Sequence, residues 1–134
     1  MLLPSRLYLS YQINNMNWIY LLVFLGILIP ADGVYQRGKA SYYAQSMNGR
    51  RTASGQIYCS DSLTAAHARL PFGTRVAVRN LKNDSTVVLR ITDRMSASSS
   101  RVIDVSWAAA KKLNFVRDGL AQVELTLIDT IPLK

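Results

Sequence analysis

The stretch TRVAVRNLKNDSTVVLRITD, residues 74–93, carries the clearest structural pattern in the chain. In its first half Val76 and Val78 alternate with polar or small residues, as in a strand that buries one face. A turn of Lys, Asn and Asp follows at 82–84, and apolar residues then alternate again from Val87 to Ile91. The stretch therefore predicts a β-hairpin with one apolar face.

Asp93 ends this hairpin on the same parity as the apolar residues of the second strand. Because side chains of equal parity share a face, the carboxylate is carried toward the buried side of the sheet. If the sheet closes into a barrel, Asp93 lies near the barrel mouth. From the residues alone a structural role stays open, in which Asp93 pairs with Arg94 or Arg90 or accepts backbone N–H groups.

Outside the hairpin the chain consists of short segments divided by turn residues. Strands are predicted at 38–44, 101–105 and 121–129, and 63–68 is either a strand or a turn of helix. Ser106 is placed to cap a helix over 107–113, which Asn114 can end. Loops are predicted at 47–55 and 95–100. Many short strands with one real helix indicate a small, mostly β barrel.

The composition restricts the classes of function. A length of 134 residues suits about one domain. One Cys, Cys59, and one His exclude a disulfide framework and a zinc finger, and we predict neither a metal site nor a cofactor. The net charge of +8 indicates an anionic partner, which is nucleic acid, a membrane surface or an acidic polysaccharide.

The N-terminal segment resembles an export signal. Residues 18–29 form an apolar run of 12, whereas a membrane-spanning helix needs about 20. Small residues Ala31 and Gly33 stand before a possible cleavage site, so we predict a signal peptide over 1–33 and one domain over 34–134. An uncleaved anchor, a buried segment and a start at Met16 stay open. Export would exclude genomic DNA and direct the charge toward cell-wall polymer or anionic lipid.

Five separated motifs carry a family resemblance. They are GKASYYA (38–44), GRRTASGQIY (49–58), LTAAHARLPFGTRVAVRNL (63–81), VVLRITDR (87–94) and RVIDVSWAAAKKL (101–113). In this order they resemble the RlpA-like (rare lipoprotein A) family of double-psi β-barrel proteins, from Gly38 to about Ile128. The resemblance implies a six-stranded double-psi β-barrel with one or two short helices.

The resemblance also implies an enzyme, an exported endolytic peptidoglycan transglycosylase. Such a lyase cleaves glycan strands to give 1,6-anhydro-muramyl ends, because the muramic acid's own 6-hydroxyl attacks C1 in place of water. One carboxyl group then suffices, first as acid and afterwards as base. The expected partner is peptidoglycan and not nucleic acid, with membrane contact only through the N-terminal segment. The expected protein is a monomer in the bacterial periplasm or cell envelope.

Two residues take catalytic roles in this hypothesis. Asp93 matches the Asp of the family's DRGP-type motif and is the predicted acid and base. His67 matches the family's histidine and is predicted either to hydrogen-bond Asp93 and tune its protonation or to contact the glycan. The alternative for His67 is a half-buried imidazole whose hydrogen bonds are satisfied.

Two departures from the family pattern favour a second hypothesis. Gln56 stands where the family usually carries Glu, and an amide cannot transfer a catalytic proton. Met95 and Ser96 replace the Gly-Pro that normally follows Asp-Arg, which changes the loop that holds Asp93. If the family's Glu is the essential acid, the chain is alternatively a non-catalytic module that binds or loosens the wall. If Asp93 is the essential acid, Gln56 merely orients sugar or water.

The predicted substrate contacts are aromatic or cationic. Sugar rings stack on tyrosines, but strand alternation lets at most one of Tyr42 and Tyr43 face a groove. The full predicted set consists of Gln56, Tyr42, Tyr43, Tyr58, Arg50, Arg51 and Arg94. The arginines would meet lactyl or peptide carboxylates, unless they form an ordinary solvated face. Asp104 is predicted to be mainly structural.

Overall fold

The computed structural model describes residues 33–130, so the predicted signal peptide, apart from Gly33, lies outside the described residues. The strands are β1 (Val34–Tyr42), β2 (Thr64–Ala66), β3 (Thr74–Asn80), β4 (Thr86–Asp93), β5 (Arg101–Val105) and β6 (Ala121–Thr130). One helix, α1 (Trp107–Lys112), and a 3₁₀ turn (Gln45–Met47) accompany them. In this part of the chain, no helix is long and apolar enough to cross a membrane.

The six strands close into a barrel in the order β1-β5-β2-β4-β3-β6. Two neighbouring pairs, β1–β5 and β2–β4, run parallel, and the other four pairs are antiparallel. Apart from the β3–β4 hairpin, strands that follow each other in the chain are not neighbours in the barrel wall, so the chain crosses over between them, as in a double-psi barrel. The predicted six-stranded double-psi barrel is therefore confirmed.

The barrel core follows the alternation in the hairpin. Val76 and Val78 of β3 are fully buried, and Val87, Leu89 and Ile91 of β4 are buried as well. The intervening Arg75 and Arg79 lie on the outer face and form ion pairs with acidic residues of β6 and of the hairpin turn. The period-2 pattern thus predicted both faces of the sheet correctly.

The turns and caps also lie where residue types favour them. Asp84 in the hairpin turn has a φ of +60°, a conformation that Asp adopts more readily than most residues. Ser106 caps α1 by accepting a hydrogen bond from Ala109 N–H, and Asn114 leaves the helix with a φ of +54°. The segment 63–68 is resolved as the short strand β2.

One row of residues across the barrel wall positions the site. Ser41 of β1 pairs with Asp104 of β5, Asp104 pairs with Ala66 of β2, and Ala66 pairs with Asp93 of β4. Neighbouring strands are about 4.8 Å apart, so the backbones of Asp93 and Asp104 lie roughly 10 Å from each other. Two carboxylates from different strands thereby reach the same level of the barrel.

Candidate functional site

The Asp93 carboxylate is held by three hydrogen-bond donors. The Tyr43 hydroxyl donates to Oδ2 at 2.6 Å, and the backbone N–H groups of Ala53 and Arg94 donate to Oδ1 at 2.9 and 2.8 Å. These three donors fix the side chain in one rotamer and leave one lone-pair position, on Oδ2, that can carry a proton. Of the structural roles open to Asp93, backbone N–H acceptance is observed, whereas no ion pair to Arg90 or Arg94 is formed.

The loop 52–56, which contains Gln56, is docked on the end of β4. It is closed by hydrogen bonds from the N–H and the hydroxyl of Thr52 to the Gln56 carbonyl, at 2.8 and 2.7 Å. Ser54 N–H donates to Thr92 C=O at 3.2 Å, beside the Ala53–Asp93 contact. The loop that carries the exposed Gln56 side chain is therefore fixed against the Asp93 carboxylate.

The Tyr43 hydroxyl is a hydrogen-bond donor to the Asp93 carboxyl group. Burial and then the hydrogen bond to Asp93 raise the pKa of the Tyr43 phenol far above its ordinary value, so the hydroxyl keeps its proton. The ring also packs on Tyr58, with centroids 4.5 Å apart. Tyr43 thus positions the carboxylate.

The other two tyrosines predicted to stack on sugar pack against aromatic neighbours. Tyr58 is only 4% exposed, because its ring packs on Tyr43 and its hydroxyl accepts from Trp107 N–H. Tyr42 packs edge-on against Trp107 and Phe115, and its hydroxyl donates to a backbone carbonyl. Tyr58 is therefore too buried to stack on sugar as predicted, whereas Tyr42 is half-buried and its sugar contact stays a prediction.

His67 is buried and organises the turn after β2. Its Nδ1 accepts the N–H groups of Arg69 and Leu70, both at 3.0 Å, so the ring proton is on Nε2. Nε2 donates to Gln36 Oε1 at 2.9 Å. The predicted hydrogen bond between the His67 ring and Asp93 is wrong, because both ring nitrogens are engaged elsewhere. Only the backbones meet, through His67 N–H and Asp93 C=O at 3.2 Å.

His67→Ala is expected to lower the free energy of unfolding by about 2 kcal/mol, because two backbone N–H groups lose their acceptor, one of them in buried Leu70. His67→Asn should recover about half of that loss, because its amide oxygen can accept from the same N–H groups. Urea unfolding followed by circular dichroism measures both values. Equal instability of the two variants would contradict the role of Nδ1.

The same burial predicts a pH dependence of stability. Burial, and then the charges of Arg94 and Arg69, lower the pKa of His67 below its ordinary 6.5. As pH falls below about 6.5 the unfolded chain therefore binds a proton that the folded chain refuses, and stability declines. Above that pH the contribution is fully present. His67→Asn should remove this part of the decline between about pH 7.5 and about pH 5.

Of the three arginines predicted to contact substrate, two make hydrogen bonds within the protein and the third is exposed. Arg94 lies over the Phe72 ring, 4.0 Å from the centroid, and donates to His67 C=O at 3.3 Å. Arg51 donates to Gly55 C=O at 2.9 Å, within the loop that carries Gln56. Arg50 is exposed beside it. These arginines surround the loop and the end of β4.

The sequence predicts a structural role for Asp104 but not the side chains that bind its carboxylate. Asp104 accepts two hydrogen bonds from Arg101, at 2.8 and 3.2 Å, and one from the Ser41 hydroxyl. The roles of Ala53 N–H and Gln36 were also missed. A backbone donor leaves no signal in a sequence, and Gln36 lies 31 residues from its partner His67. Among the described residues, no three His, Cys, Asp or Glu side chains are placed to hold a metal ion.

Comparison with known proteins identifies relatives across this region. Residues 35–125 match the family model described as lytic transglycolase. A probable endolytic peptidoglycan transglycosylase RlpA of Treponema pallidum is 48% identical over 103 residues, which are 77% of this chain and 32% of that protein. An endolytic peptidoglycan transglycosylase RlpA of Pasteurella multocida is 44% identical over 73% of this chain and 33% of its own length. The chain thus spans about a third of these relatives.

Solved structures share the fold at low identity. A Streptomyces papain inhibitor superposes with a TM-score of 0.56 and 23% identity, over 76% of this chain and all of the inhibitor. A Clavibacter michiganensis expansin, solved in complex with cellohexaose, has a TM-score of 0.56 and 15% identity, over 73% of this chain and 52% of the expansin. These two structures support the barrel architecture alone.

Proposed function

Because this chain belongs to the RlpA-like lytic transglycosylase family of double-psi β-barrels, we propose that it cleaves peptidoglycan glycan strands endolytically and leaves 1,6-anhydro-muramyl ends. The observation that supports this proposal is the Asp93 carboxylate, fixed by Tyr43, Ala53 and Arg94 at the end of β4. It is a titratable group oriented by its surroundings and still partly open to solvent. Oriented, accessible carboxyl groups are what general acid and base catalysis requires.

The proposed reaction needs only one carboxyl group. Protonated Asp93 gives its proton to the glycosidic oxygen as the bond to C1 breaks. The muramic acid 6-hydroxyl then attacks C1, and the Asp93 carboxylate takes the hydroxyl proton, which restores the acid. No water is consumed, so a second carboxylate that activates water, as in glycoside hydrolases, is not needed. Gln56 is proposed to orient sugar from the adjoining loop through its amide.

His67 enters this proposal as a positioning residue. Its ring hydrogen-bonds the turn after β2 on one side and the Gln36 amide on the other. Its backbone N–H donates to Asp93 C=O. Tyr43 is a second positioning residue, since its hydroxyl fixes Oδ2 of the acid. Arg50, Arg51 and Arg94 remain the proposed contacts for acidic substituents of the strand.

Charge and the N-terminal segment support a place in the bacterial envelope. Residues 34–134 keep 15 basic and 7 acidic residues, because only Arg6 and Asp32 fall in 1–33. Peptidoglycan is the anionic polymer that an exported basic domain would meet. We propose export through the segment 1–33 and action as a monomer. N-terminal sequencing of exported protein tests the cleavage site near Gly33.

The deciding experiment incubates purified protein with peptidoglycan and searches the products by mass spectrometry. We expect 1,6-anhydro-muramyl ends from internal cleavage of the strands. Gln56 favours a second candidate, a non-catalytic wall-binding module, which would sediment with sacculi and release no such ends. Protein that neither binds sacculi nor releases anhydro ends would contradict both proposals.

A further inference from the structure

A polar cavity with a volume of about 380 Å³ lies between the first half of β1, the turn after β2 and the loop before β5. Neither Asp93 nor Gln56 lines it, and no acidic side chain is among its lining residues. Its polar side chains are Gln36, His67, Arg69, Ser96, Ser99 and Arg101. This volume is at the lower end of the range for small-molecule sites, about 300–1,000 Å³, and is enough for one substituted sugar.

The proton positions around His67 make Gln36 a donor toward this cavity. Because Nδ1 accepts from Arg69 and Leu70, Nε2 carries the proton and must donate to the Gln36 amide oxygen. The Gln36 NH₂ group is therefore available to donate hydrogen bonds to a ligand. His67 is 3% exposed, so burial fixes this arrangement.

Of the two arginines, Arg69 supplies the uncompensated charge and Arg101, paired with Asp104, supplies an oriented N–H donor. Arg101 is held by Asp104 through Nε and Nη2, which fixes the guanidinium and leaves Nη1 for the cavity. Arg69 is exposed, and its guanidinium forms no ion pair with any residue that the structure describes. Ser99 Oγ accepts Arg101 N–H at 3.1 Å, so its own hydroxyl proton is free to be donated. The lining thus presents donors and positive charge together.

We infer that this cavity binds a carboxylate carried by the glycan substrate, an inference that rests on the proposed function. A neutral sugar hydroxyl would need acceptors as well as donors, whereas a carboxylate only accepts. A planar guanidinium that is already oriented matches a carboxylate in shape and charge.

The position of the cavity links it to the proposed acid. Its His67 pairs with Asp93 through the backbone, and Arg94 donates to His67 C=O. The cavity is therefore next to the strand end that carries Asp93, and we expect a glycan bound at Asp93 to place the acidic substituent of a neighbouring sugar there. Peptidoglycan offers two sources, the lactyl carboxylate of a muramic acid without peptide and the carboxylates of the stem peptide.

The test measures binding of fluorescent glycan strands by anisotropy, in an Asp93→Asn background that prevents cleavage. The strands are stripped of peptide, stripped and then amidated on the lactyl carboxylate, or peptide-bearing. Arg69→Glu is compared with Arg117→Glu, an exposed site with the same charge change outside the cavity lining. We expect Arg69→Glu to raise the Kd for stripped strands about tenfold, the size of one charged contact, and to leave amidated strands unaffected.

The outcomes separate the inference from the proposed function. Weakening confined to peptide-bearing strands would support the cavity with stem-peptide carboxylates as its ligand. Equal Kd values for stripped and amidated strands, with no difference between Arg69→Glu and Arg117→Glu, would overturn the cavity assignment while leaving wall binding intact. Absence of binding to every strand would overturn the proposed function and this inference with it. Arg69→Gln, which only removes charge, should give a smaller rise in Kd than Arg69→Glu.

Discussion

Asp93→Asn is expected to lower the rate of anhydro-end formation by about 10²–10⁴-fold, the range that a positioned general acid and base contributes. The substitution keeps the shape of the side chain, and its amide oxygen can still accept from Ala53 and Arg94 N–H. The amide NH₂ that replaces Oδ2 donates to the Tyr43 oxygen where the carboxylate accepted from it, so the side chain keeps its position and loses the capacity to exchange a proton. The loss should therefore be in kcat, with KM and the urea midpoint close to those of the natural protein.

Two further variants make this result specific. Asp61→Asn removes the same charge from an exposed loop and should leave kcat unchanged. Tyr43→Phe removes one of the three donors to Asp93 but keeps the carboxyl group, so kcat should fall by roughly tenfold, less than in Asp93→Asn. Full activity of Asp93→Asn would exclude Asp93 as the acid and move the chemistry to another group.

The fold was predictable because its signals are local. Alternation over 74–93 determines which residues of β3 and β4 are buried, and Ser106 and Asn114 mark the ends of α1. The strand order was not readable from periodicity, because pairs such as β1–β5 depend on contacts more than 60 residues apart, such as that of Ser41 with Asp104. That the six strands close into a barrel was predicted from the family resemblance.

The site was predictable only in part. Asp93 could be placed by parity and motif, but its donors include two backbone N–H groups, which any residue type provides. Tyr58 was misplaced because an amphipathic ring suits both a groove and a core. The sequence predicts a hydrogen bond from the His67 ring to Asp93, but the ring accepts the backbone N–H groups of the turn that follows it. Hydrogen bonds over such short range are decided by the loop backbone, for which the sequence pattern carries little information.

Gln56→Glu is the second change with a large expected effect, a rise in kcat of about 100-fold, the lower end of what an added acid or base contributes. Gln56 closes the loop 52–56, whose Ala53 N–H binds Asp93 and whose position is fixed by the end of β4. A carboxyl group introduced there is carried by the same loop that binds the Asp93 carboxylate, and we expect the two groups to meet on the substrate. Two neighbouring carboxylates resist joint ionisation, so one keeps a proton for the leaving oxygen while the other serves as base.

The double variant Asp93→Asn with Gln56→Glu decides how the new group works. If the two carboxyl groups divide the acid and base roles, the double variant loses the gain. Retained activity would mean that residue 56 replaces Asp93, which would contradict our assignment of the acid. Gln56→Ala is the matched neutral change and should alter kcat by less than about threefold, since the amide moves no proton. If the natural protein is inactive and Gln56→Glu is active, the natural chain is a wall-binding module. It would then lack only the carboxyl group at position 56.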